Sequence, residues 1–420
     1  MHAIALANSI LAGEQDAALR RIYASADVAR MRCAAALNKY AALFSDEEVQ
    51  LLTAPGRTEV GGNHTDHNHG TVLAAAVELD ILAVAAPLQN GLVELYSEGF
   101  GCIRLDLSLL EAQEGEEGTS AALIRGVAAA MREEGYTVGG FRAYMLSDVQ
   151  GGSGLSSSAA FEVLLGCIQS HLYNEGRVTP TQAAIMGRYA ENVYFKKPCG
   201  LMDQMACAVG GFIEIDFEDP SQPRMRPIPV ATQGYALCIV DTRADHANLT
   251  PEYAAMPKEM RAVAKELGGT VLREVSEHAL YENAARIRES CGDRAFLRAA
   301  HFFREDARAR AQAQALLCGD VEGFLSLVRE SGRSSFMYLQ NVYIADDPRR
   351  QPVSTALCLS DHLLGGRGAF RVHGGGFAGT IQAWVPEDLL TSYRAGMDAV
   401  FGAGSCAVPG IRAVGMARIL

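Results

Sequence analysis

Three glycine-rich segments, far apart in the chain, most constrain what this sequence can fold into. They comprise residues 54–70 (APGRTEVGGNHTDHNHG), 151–160 (GGSGLSSSAA) and 371–379 (RVHGGGFAG). A single loop of this kind would carry little weight, because tight turns and bulges use glycine for steric reasons alone. Three such loops, together with the short segment 200–204 (GLMDQ), predict one phosphate-binding site assembled from distant parts of the chain.

The middle segment combines an anion-binding loop with a helix start. Gly151, Gly152 and Gly154 permit backbone conformations that bring successive N–H groups toward an anion. Residues 155–168 are apolar and rich in Ala and Leu, which predicts a helix. The serines at 156–158 would then lie near its N-terminus, where free N–H groups and the helix dipole favour phosphate. The alternative is a serine that merely caps an ordinary core helix.

Other nucleotide-binding motifs do not fit the sequence. A Walker A loop needs Gly-Lys-Ser/Thr, and the chain contains no Gly-Lys dipeptide. The His-Arg-Asp and Asp-Phe-Gly triplets of protein kinases are also missing from the sequence. A dinucleotide-binding fold would need G-x-G-x-x-G directly after the first strand of a βαβ unit.

Composition limits the class of protein and its partners. A chain of 420 residues with 49% hydrophobic content predicts two domains with two cores. The formal net charge of −12 argues against nucleic acid or an anionic membrane as partner. Ten dispersed cysteines without a CxxC pair indicate reduced thiols. With an N-terminus that lacks a basic secretory region, they lead us to expect a cytoplasmic protein.

The order of predicted elements indicates an α+β fold with two lobes. Residues 16–40 predict two opening helices, residues 49–54 a strand that leads into the first glycine-rich segment, and residues 155–173 and 181–194 two further helices. The Pro- and Gln-rich stretch 219–234 is the predicted linker.

The histidines of the first segment raise the alternative of a metal site. His64, His67 and His69, with Asp66, could ligate zinc. The three histidines lack a helical i,i+4 pairing, and the sequence offers no second cluster to complete a tetrahedron. We therefore do not favour a zinc site in this segment.

Taken together, the three segments and GLMDQ resemble the GHMP kinase family along nearly the whole chain. Within that family the chain is most similar to the branch that phosphorylates galactose at C1 with ATP. The resemblance implies an α+β architecture with a ribosomal S5 domain 2-like N-terminal domain (residues 1–220) and a ferredoxin-like C-terminal domain (residues 221–420). It implies a sugar and ATP as small-molecule ligands, magnesium as cofactor, and a monomer or weak homo-oligomer.

The resemblance also assigns roles to individual residues. Asp203 matches the proposed catalytic base, and Arg57 matches an arginine that faces both this carboxylate and the migrating phosphoryl group. Read without the family, Asp203 could instead cap the helix that follows it. Because an arginine lowers the pKa of a nearby carboxyl, we expect Asp203 to orient the hydroxyl and to accept its proton late.

The remaining matches concern the sugar, the nucleotide and the metal. The residues expected to bind the sugar are Asn63, His64, Asp66, Gly200 and Tyr253. Those expected to bind the nucleotide are Gly151, Gly152, Ser153, Gly154, Leu155, Ser156, Ser157, Ser158, Gly375 and Gly376. The expected magnesium ligands are Ser158 and Glu191, since magnesium prefers hard oxygen ligands.

One departure from the family pattern leaves the sugar substrate open, and a second alternative concerns catalysis itself. Asn63 stands where the family has Glu, so recognition at the C6 end of the sugar could differ. A sugar-1-kinase for a galactose derivative altered at C6 or C2, such as galacturonate, is therefore an alternative. A non-catalytic sugar sensor is a second alternative, which the presence of Arg57, Asp203, Glu191 and the serines disfavours.

Overall fold

Two long antiparallel strands carry the first glycine-rich segment. Strands β1 (Gln50–Gly61) and β2 (Thr71–Leu88) pair along most of their length. Their register shifts between Pro55 and Arg57 and again between Glu59 and Gly61. Such irregularities re-aim side chains at the end of a strand. The structure is a computed structural model that describes residues 1–149, 154–229, 234–244, 249–344, 347–377 and 379–420.

The strands of the described residues form two sheets. The first has eight strands, in the order β12-β1-β2-β5-β3-β4, with β6 pairing with β2 and β7 with β6. The second has four antiparallel strands in the order β11-β8-β10-β9. The remaining strands are β3 (Leu92–Ser97), β4 (Gly101–Asp106), β5 (Gly140–Ser147), β6 (Phe212–Asp216), β7 (Arg224–Ile228), β8 (Tyr235–Asp241), β9 (Ala369–Val372), β10 (Thr380–Pro386), β11 (Cys406–Ala407) and β12 (Ala417–Arg418).

Helices cover both sheets. They are α1 (Ala3–Leu11), α2 (Asp16–Ile22), α3 (Ala26–Leu43), α4 (Ser120–Glu133), α5 (Ser157–Tyr173), α6 (Pro180–Tyr189), α7 (Met202–Val209), α8 (Thr250–Glu266), α9 (Glu277–Glu282), α10 (Ala284–Cys291), α11 (Asp293–Leu317), α12 (Val321–Ser334), α13 (Pro352–Leu364) and α14 (Leu390–Phe401). Two π-helical turns, Ala190–Tyr194 and Ser335–Leu339, follow α6 and α12.

The cores explain why these segments are helical and where they pack. Buried residues of α4, α5, α6 and α7 share one hydrophobic cluster with the first sheet. Helices α1 and α3 bury their apolar residues in a second cluster that includes Leu82 and Val84 of β2. Because successive side chains of a strand point to opposite faces, β2 contributes to both clusters. The predicted α+β fold with two lobes is confirmed.

The predicted linker was wrong in part, because residues 219–234 include a strand. Strand β7 pairs with β6 in the first sheet. The C-terminal strand β12 also returns to the first sheet, next to β1. The expected division between residues 220 and 221 therefore falls between two paired strands, and we propose that the boundary lies between β7 and β8.

A buried ion cluster ties three parts of the chain to the first sheet. Asp80 of β2 is fully buried, and its carboxylate accepts hydrogen bonds from Arg32 of α3, from Thr53 of β1 and from Arg412 near the C-terminus. The Arg412 Nη1 to Asp80 Oδ2 distance is 2.7 Å. Removing one member of such a cluster leaves a buried charge without a partner.

We expect Arg412→Ala to lower the free energy of unfolding by about 3–5 kcal/mol, because Asp80 would lose a buried guanidinium. Urea denaturation would measure the change. The matched control is Arg104→Ala, whose side chain is 75% exposed and lies 3.6 Å from Glu94. A surface pair of that kind contributes about 0–1 kcal/mol. Equal losses in the two variants would contradict the structural role of the Asp80 cluster.

Candidate active site

A bidentate ion pair lies at the centre of the site. Arg57 Nε donates to Asp203 Oδ1 at 2.7 Å, and Arg57 Nη2 donates to Asp203 Oδ2 at 2.6 Å. Arg57 lies on β1 between the two register shifts, and Asp203 lies in the first turn of α7. The Ser156 hydroxyl donates to the same Oδ2 at 2.7 Å. Two of the glycine-rich segments and GLMDQ are therefore joined at one carboxylate.

The environment of Asp203 sets its charge. Burial by itself would raise the pKa of this carboxyl, but the charge and hydrogen bonds of Arg57, together with Ser156, lower it to about 2. The side chain is 31% exposed, so the carboxylate is fixed and still accessible to a ligand. Because its carboxylate oxygens bind Arg57 and Ser156, the side chain of Asp203 does not serve merely as a helix cap. Asp203 is therefore an ionised acceptor held in one orientation.

The phosphate loop is described from Gly154 onward, and Gly151, Gly152 and Ser153 lie outside the described residues. Gly154 has φ +72°, and a Cβ there would lie 2.1 Å from Thr380 Oγ1, so only glycine fits. Its carbonyl accepts a hydrogen bond from Arg57 Nη1 at 2.5 Å, and the Leu155 carbonyl accepts one from the Arg57 N–H at 3.0 Å. The loop is thus anchored to β1 through Arg57.

The helix predicted after this loop is confirmed. Helix α5 begins at Ser157, so Ser157 and Ser158 lie in its first turn and Ser156 directly precedes it. Ser156 has φ +58°, and its hydroxyl contacts Asp203 and makes no capping bond within the described part of the chain. The serine run therefore belongs to the site and is more than a cap.

Glu191 and Glu162 form an acidic cluster beside Ser158. The Ser158 hydroxyl donates to Glu191 Oε1 at 3.2 Å, and Lys197 Nζ donates to the same oxygen at 2.9 Å. Gln204 Nε2 donates to Glu191 Oε2 and to Glu162 Oε2, each at 2.9 Å. Glu191 lies in the π-helical turn after α6. The two expected magnesium ligands, Ser158 and Glu191, are therefore brought together.

Sequence reasoning missed Glu162 and Lys197. Glu162 is fully buried, and burial together with the charge of Glu191 raises its pKa well above the usual range. It lies four residues after Ser158, so both lie on the same face of α5. That spacing was the signal in the sequence. Lys197 had no comparable signal, because its partner belongs to a different element.

Of the five expected sugar residues, Asp66 and Gly200 approach each other, and His64 and Tyr253 contact the third glycine-rich segment. A Cβ on Gly200 would lie 1.7 Å from Asp66 Oδ2, so glycine is required for the two segments to approach. His64 Nε2 lies 3.3 Å from the Gly375 carbonyl oxygen, and the Tyr253 hydroxyl donates to the Gly376 carbonyl at 3.0 Å. The third glycine-rich segment therefore contacts two of the expected sugar residues. Burial lowers the pKa of His64 to about 3, so the ring is neutral.

Asn63, the fifth residue expected to bind the sugar, lies buried against the third glycine-rich segment. Its side chain is fully buried and donates to Glu59 Oε1 and to the Gly374 carbonyl, each at 2.9 Å. Its amide oxygen accepts hydrogen bonds from Asn341 Nδ2 at 2.9 Å and from Ser335 Oγ at 3.3 Å. Both donors and both acceptor positions are in use. This arrangement does not support the prediction that Asn63 contacts the sugar.

The histidines of the first segment form no grouped metal site. The His64 and His67 rings are stacked, with centroids 5.8 Å apart. Among the residues that the structure describes, no three His, Cys, Asp or Glu side chains are grouped as a zinc site made only of protein ligands would require. The zinc alternative therefore has no support from the structure.

Comparisons with known proteins agree with this geometry. The galactokinase galactose-binding signature matches residues 38–87, and the GHMP kinases N terminal domain matches residues 122–211. The chain is 31% identical over 376 residues to a galactokinase of Streptomyces coelicolor, covering 88% of this chain and 93% of that protein. It is 28% identical over 351 residues to a galactokinase of Actinobacillus pleuropneumoniae, covering 82% and 87%.

Solved structures show the same fold. The galactokinase of Lactococcus lactis complexed with galactose superposes with a TM-score of 0.79 at 26% identity, covering 91% of this chain and 98% of that one. A mevalonate kinase shares the fold with a TM-score of 0.61 at 13% identity. The protein is therefore a GHMP-type kinase, an ATP-dependent phosphotransferase. Within that class, the chain belongs to the galactokinase family, and its activity is galactokinase-like.

Across the described ranges, no helix is both long and apolar enough to cross a membrane.

We expect kcat/KM to show no loss from protonation of Asp203 between about pH 5 and pH 8, because its pKa lies at about 2. The sign follows from the lowered value: the ionised form persists until the pH falls through about 2. The same shift stabilises the folded protein above the unfolded value near 4 and is lost on acidification. A pH–rate profile measures this. An acid limb with an apparent pKa above about 5 that persists at a tenfold higher metal concentration would contradict the assignment.

Proposed function

We propose that the enzyme transfers the γ-phosphate of ATP to the C1 hydroxyl of galactose, giving galactose 1-phosphate and ADP. The observation that carries this proposal is the position of the Arg57–Asp203 pair. On one side the pair contacts the phosphate loop through Gly154 and Ser156. On the other side the chain runs from Asp203 back to Gly200, which touches Asp66. A hydroxyl bound beside Asp203 would thus face a phosphoryl group held at the start of α5.

In this mechanism Asp203 orients the acceptor. The C1 oxygen forms a bond to the γ-phosphorus while the bond from that phosphorus to the bridging oxygen of ADP breaks. The proton of the hydroxyl passes to Asp203 and then to water. A carboxylate with a pKa of about 2 is a weak base. The loose transition state of phosphoryl transfer needs little early deprotonation, so accurate placement supplies most of the rate.

Arg57 fixes this carboxylate and adds positive charge beside the reacting centre. Its bidentate pairing sets the orientation of Asp203. The guanidinium also holds the Gly154 carbonyl and so the start of the phosphate loop. Positive charge at this point would stabilise the negative charge on the phosphoryl oxygens in the transition state.

For the sugar, we assign His64, Asp66, Gly200 and Tyr253 to its binding. A neutral imidazole and a carboxylate supply the donors and acceptors that sugar hydroxyls require. The matched galactose-binding signature spans His64 and Asp66, and the L. lactis galactokinase with this fold binds galactose. Since the amide of Asn63 is fully engaged in the interior, we assign recognition of C6 to the groups at the cleft surface instead.

For the nucleotide, we assign its phosphates to the N-terminus of α5 and to the third glycine-rich segment. Ser157 and Ser158 present free N–H groups and hydroxyls there. Leu155 completes the loop beside Arg57. Gly375 and Gly376 approach other groups so closely that side chains would collide with Tyr253 and with the Asn341 carbonyl. Only glycine fits at these two positions, so the backbone of the segment remains free of side chains there.

The residues present also fit a magnesium ion. Ser158 and Glu191 supply hard oxygen ligands, and Glu162 brings a second carboxyl group beside them. Glu162 Oε1 is buried and has no hydrogen-bond partner among the described residues, so the cluster has acceptor capacity to spare. When bound, magnesium would neutralise charge on the β- and γ-phosphates. Ser158 and Glu191 would hold it directly, and Gln204 would orient Glu191.

The proposal also covers the oligomeric state, the cellular compartment and a second candidate substrate. We propose a monomer or weak homo-oligomer as the active unit, as the family resemblance implies. All ten cysteines are free thiols, which supports a reducing compartment such as the cytoplasm. A galactose derivative altered at C6 or C2 is the second candidate substrate, since the residues that read C6 are not those expected from the sequence.

We expect purified protein with MgATP to release ADP in a coupled assay when galactose is added. The panel should also contain glucose, galacturonate, 6-deoxygalactose and N-acetylgalactosamine, with phosphorus NMR to locate the phosphate at C1. Galactose should give the highest kcat/KM. The ratio of this value to that of each other sugar measures specificity. A higher value for one derivative would shift the proposal to that sugar. If none of these sugars causes ADP release, the kinase proposal is overturned in favour of a sugar sensor.

We expect Asp203→Asn to lower kcat by roughly 10²–10⁴-fold, the usual scale for a general base. Galactose binding, measured by calorimetry, should persist within a small factor, because the amide keeps the shape of the carboxylate. Asp27→Asn is the matched control, since the Asp27 side chain is 84% exposed on α3. Near-normal kcat in Asp203→Asn would show that this carboxylate serves only to anchor Arg57.

A further inference from the structure

Lys197 contacts the carboxylate that is expected to bind the metal. Its Nζ lies 2.9 Å from Glu191 Oε1, the same oxygen that accepts the Ser158 hydroxyl. The two expected metal ligands and an ammonium group therefore converge on one point. A divalent cation that binds Glu191 there must compete with a positive charge that already occupies the position.

The backbone around Lys197 is held by a hydrogen bond, whereas its side chain is exposed and paired only at its end. The Lys197 N–H donates to the Glu191 carbonyl at 3.1 Å, and Pro198 follows directly. The preceding residue, Lys196, has φ +66° and so turns the chain sharply. The Lys197 side chain is nevertheless 61% exposed, whereas that of Glu191 is 3% exposed. The long side chain can thus leave the carboxylate without disturbing the fold.

The charges nearby explain why a cation is held at this place. Glu191 and Glu162 share one amide donor, Gln204 Nε2, so their carboxylates are close together in a buried position. Asp203 also interacts electrostatically with Lys197. Arg57 is already engaged by Asp203. Of the cations in the described residues, Lys197 is the one paired with Glu191.

We propose that Lys197 is a tethered cation that occupies the metal position on Glu191 in the free enzyme and moves to the phosphates when the metal–nucleotide complex binds. This inference rests on the proposed function, because it takes Ser158 and Glu191 as the metal ligands. The ammonium neutralises the acidic cluster before the nucleotide arrives and so weakens binding of free divalent cations. After exchange it donates to a phosphate oxygen. Metal is therefore admitted together with the nucleotide.

The test measures metal binding without catalysis. Binding of free Mn²⁺ to nucleotide-free protein, followed by EPR, should be about three- to tenfold tighter in Lys197→Gln than in wild type, because a competing charge has been removed. Binding of metal-free ATP in EDTA, followed by calorimetry, should be weaker by a similar factor. Lys197→Arg keeps the charge and should bind Mn²⁺ within about twofold of wild type.

Two further variants decide whether the effect belongs to this contact. Lys196→Gln makes the same change in net charge at the neighbouring residue and should bind Mn²⁺ like wild type. In the double variant Lys197→Gln/Glu191→Gln the tighter binding should disappear. Unchanged Mn²⁺ affinity in Lys197→Gln, an equal gain in Lys196→Gln, or a gain that survives loss of Glu191 would each overturn the proposal.

Failure of this inference is distinguishable from failure of the proposed function. The Mn²⁺ titration needs neither sugar nor turnover. Sugar-dependent ADP release by wild type, together with unchanged Mn²⁺ binding in Lys197→Gln, would leave the kinase proposal standing and remove the role of Lys197. Tighter Mn²⁺ binding in Lys197→Gln, together with no sugar-dependent ADP release by wild type, would support the role of Lys197 and contradict the kinase proposal.

Discussion

A buried polar network holds the first glycine-rich segment against the C-terminal half, and the geometry of the site depends on it. Glu59 pairs with Arg371 at 2.5 Å, and Asn63 links Glu59 to the Gly374 carbonyl. His301 Nε2 donates to the Asn63 carbonyl at 3.0 Å. Glu59, Asn63 and His301 each have at least one hydrogen-bond partner in a distant part of the chain. A shift of the loop would leave buried donors and a charge unpaired, which is costly, so the loop has one position.

The same strand serves both this network and the chemistry. Arg57 and Glu59 are two residues apart on β1, and each buried charge is paired with an opposite charge from a distant segment. The active site uses two kinds of cation. The planar guanidinium of Arg57 makes two parallel bonds and fixes Asp203, whereas the ammonium of Lys197 is a point charge on a flexible, exposed chain. A carboxylate held in one orientation thus lies near a flexible cation, which is the basis of the exchange proposed for Lys197.

Much of the site could be predicted from local pattern. The strand before the first loop, the helix that begins after Ser156 and the short GLMDQ segment are each encoded by neighbouring residues, and the structure contains all three. The pairing of Arg57 with Asp203 followed from the family resemblance, and the lowered pKa of Asp203 followed from that pairing. The partial failure of the linker prediction has a local cause, since Pro and Gln are frequent in loops but do not exclude the edge strand β7.

The sequence by itself determined which backbone segments are loops, strands and helix starts, and which side chains have the chemistry for phosphoryl transfer. Only the tertiary structure decided how those side chains are used. Asn63 lies in a segment that resembles a sugar-binding motif, yet its amide bonds with Gly374, 311 residues away in sequence. The role proposed for Lys197 depends on its contact with Glu191, which a turn of the chain brings close to it. Short-range periodicity follows from backbone geometry, whereas the partner of a buried polar group is set by packing between segments that the spacing of residues does not specify.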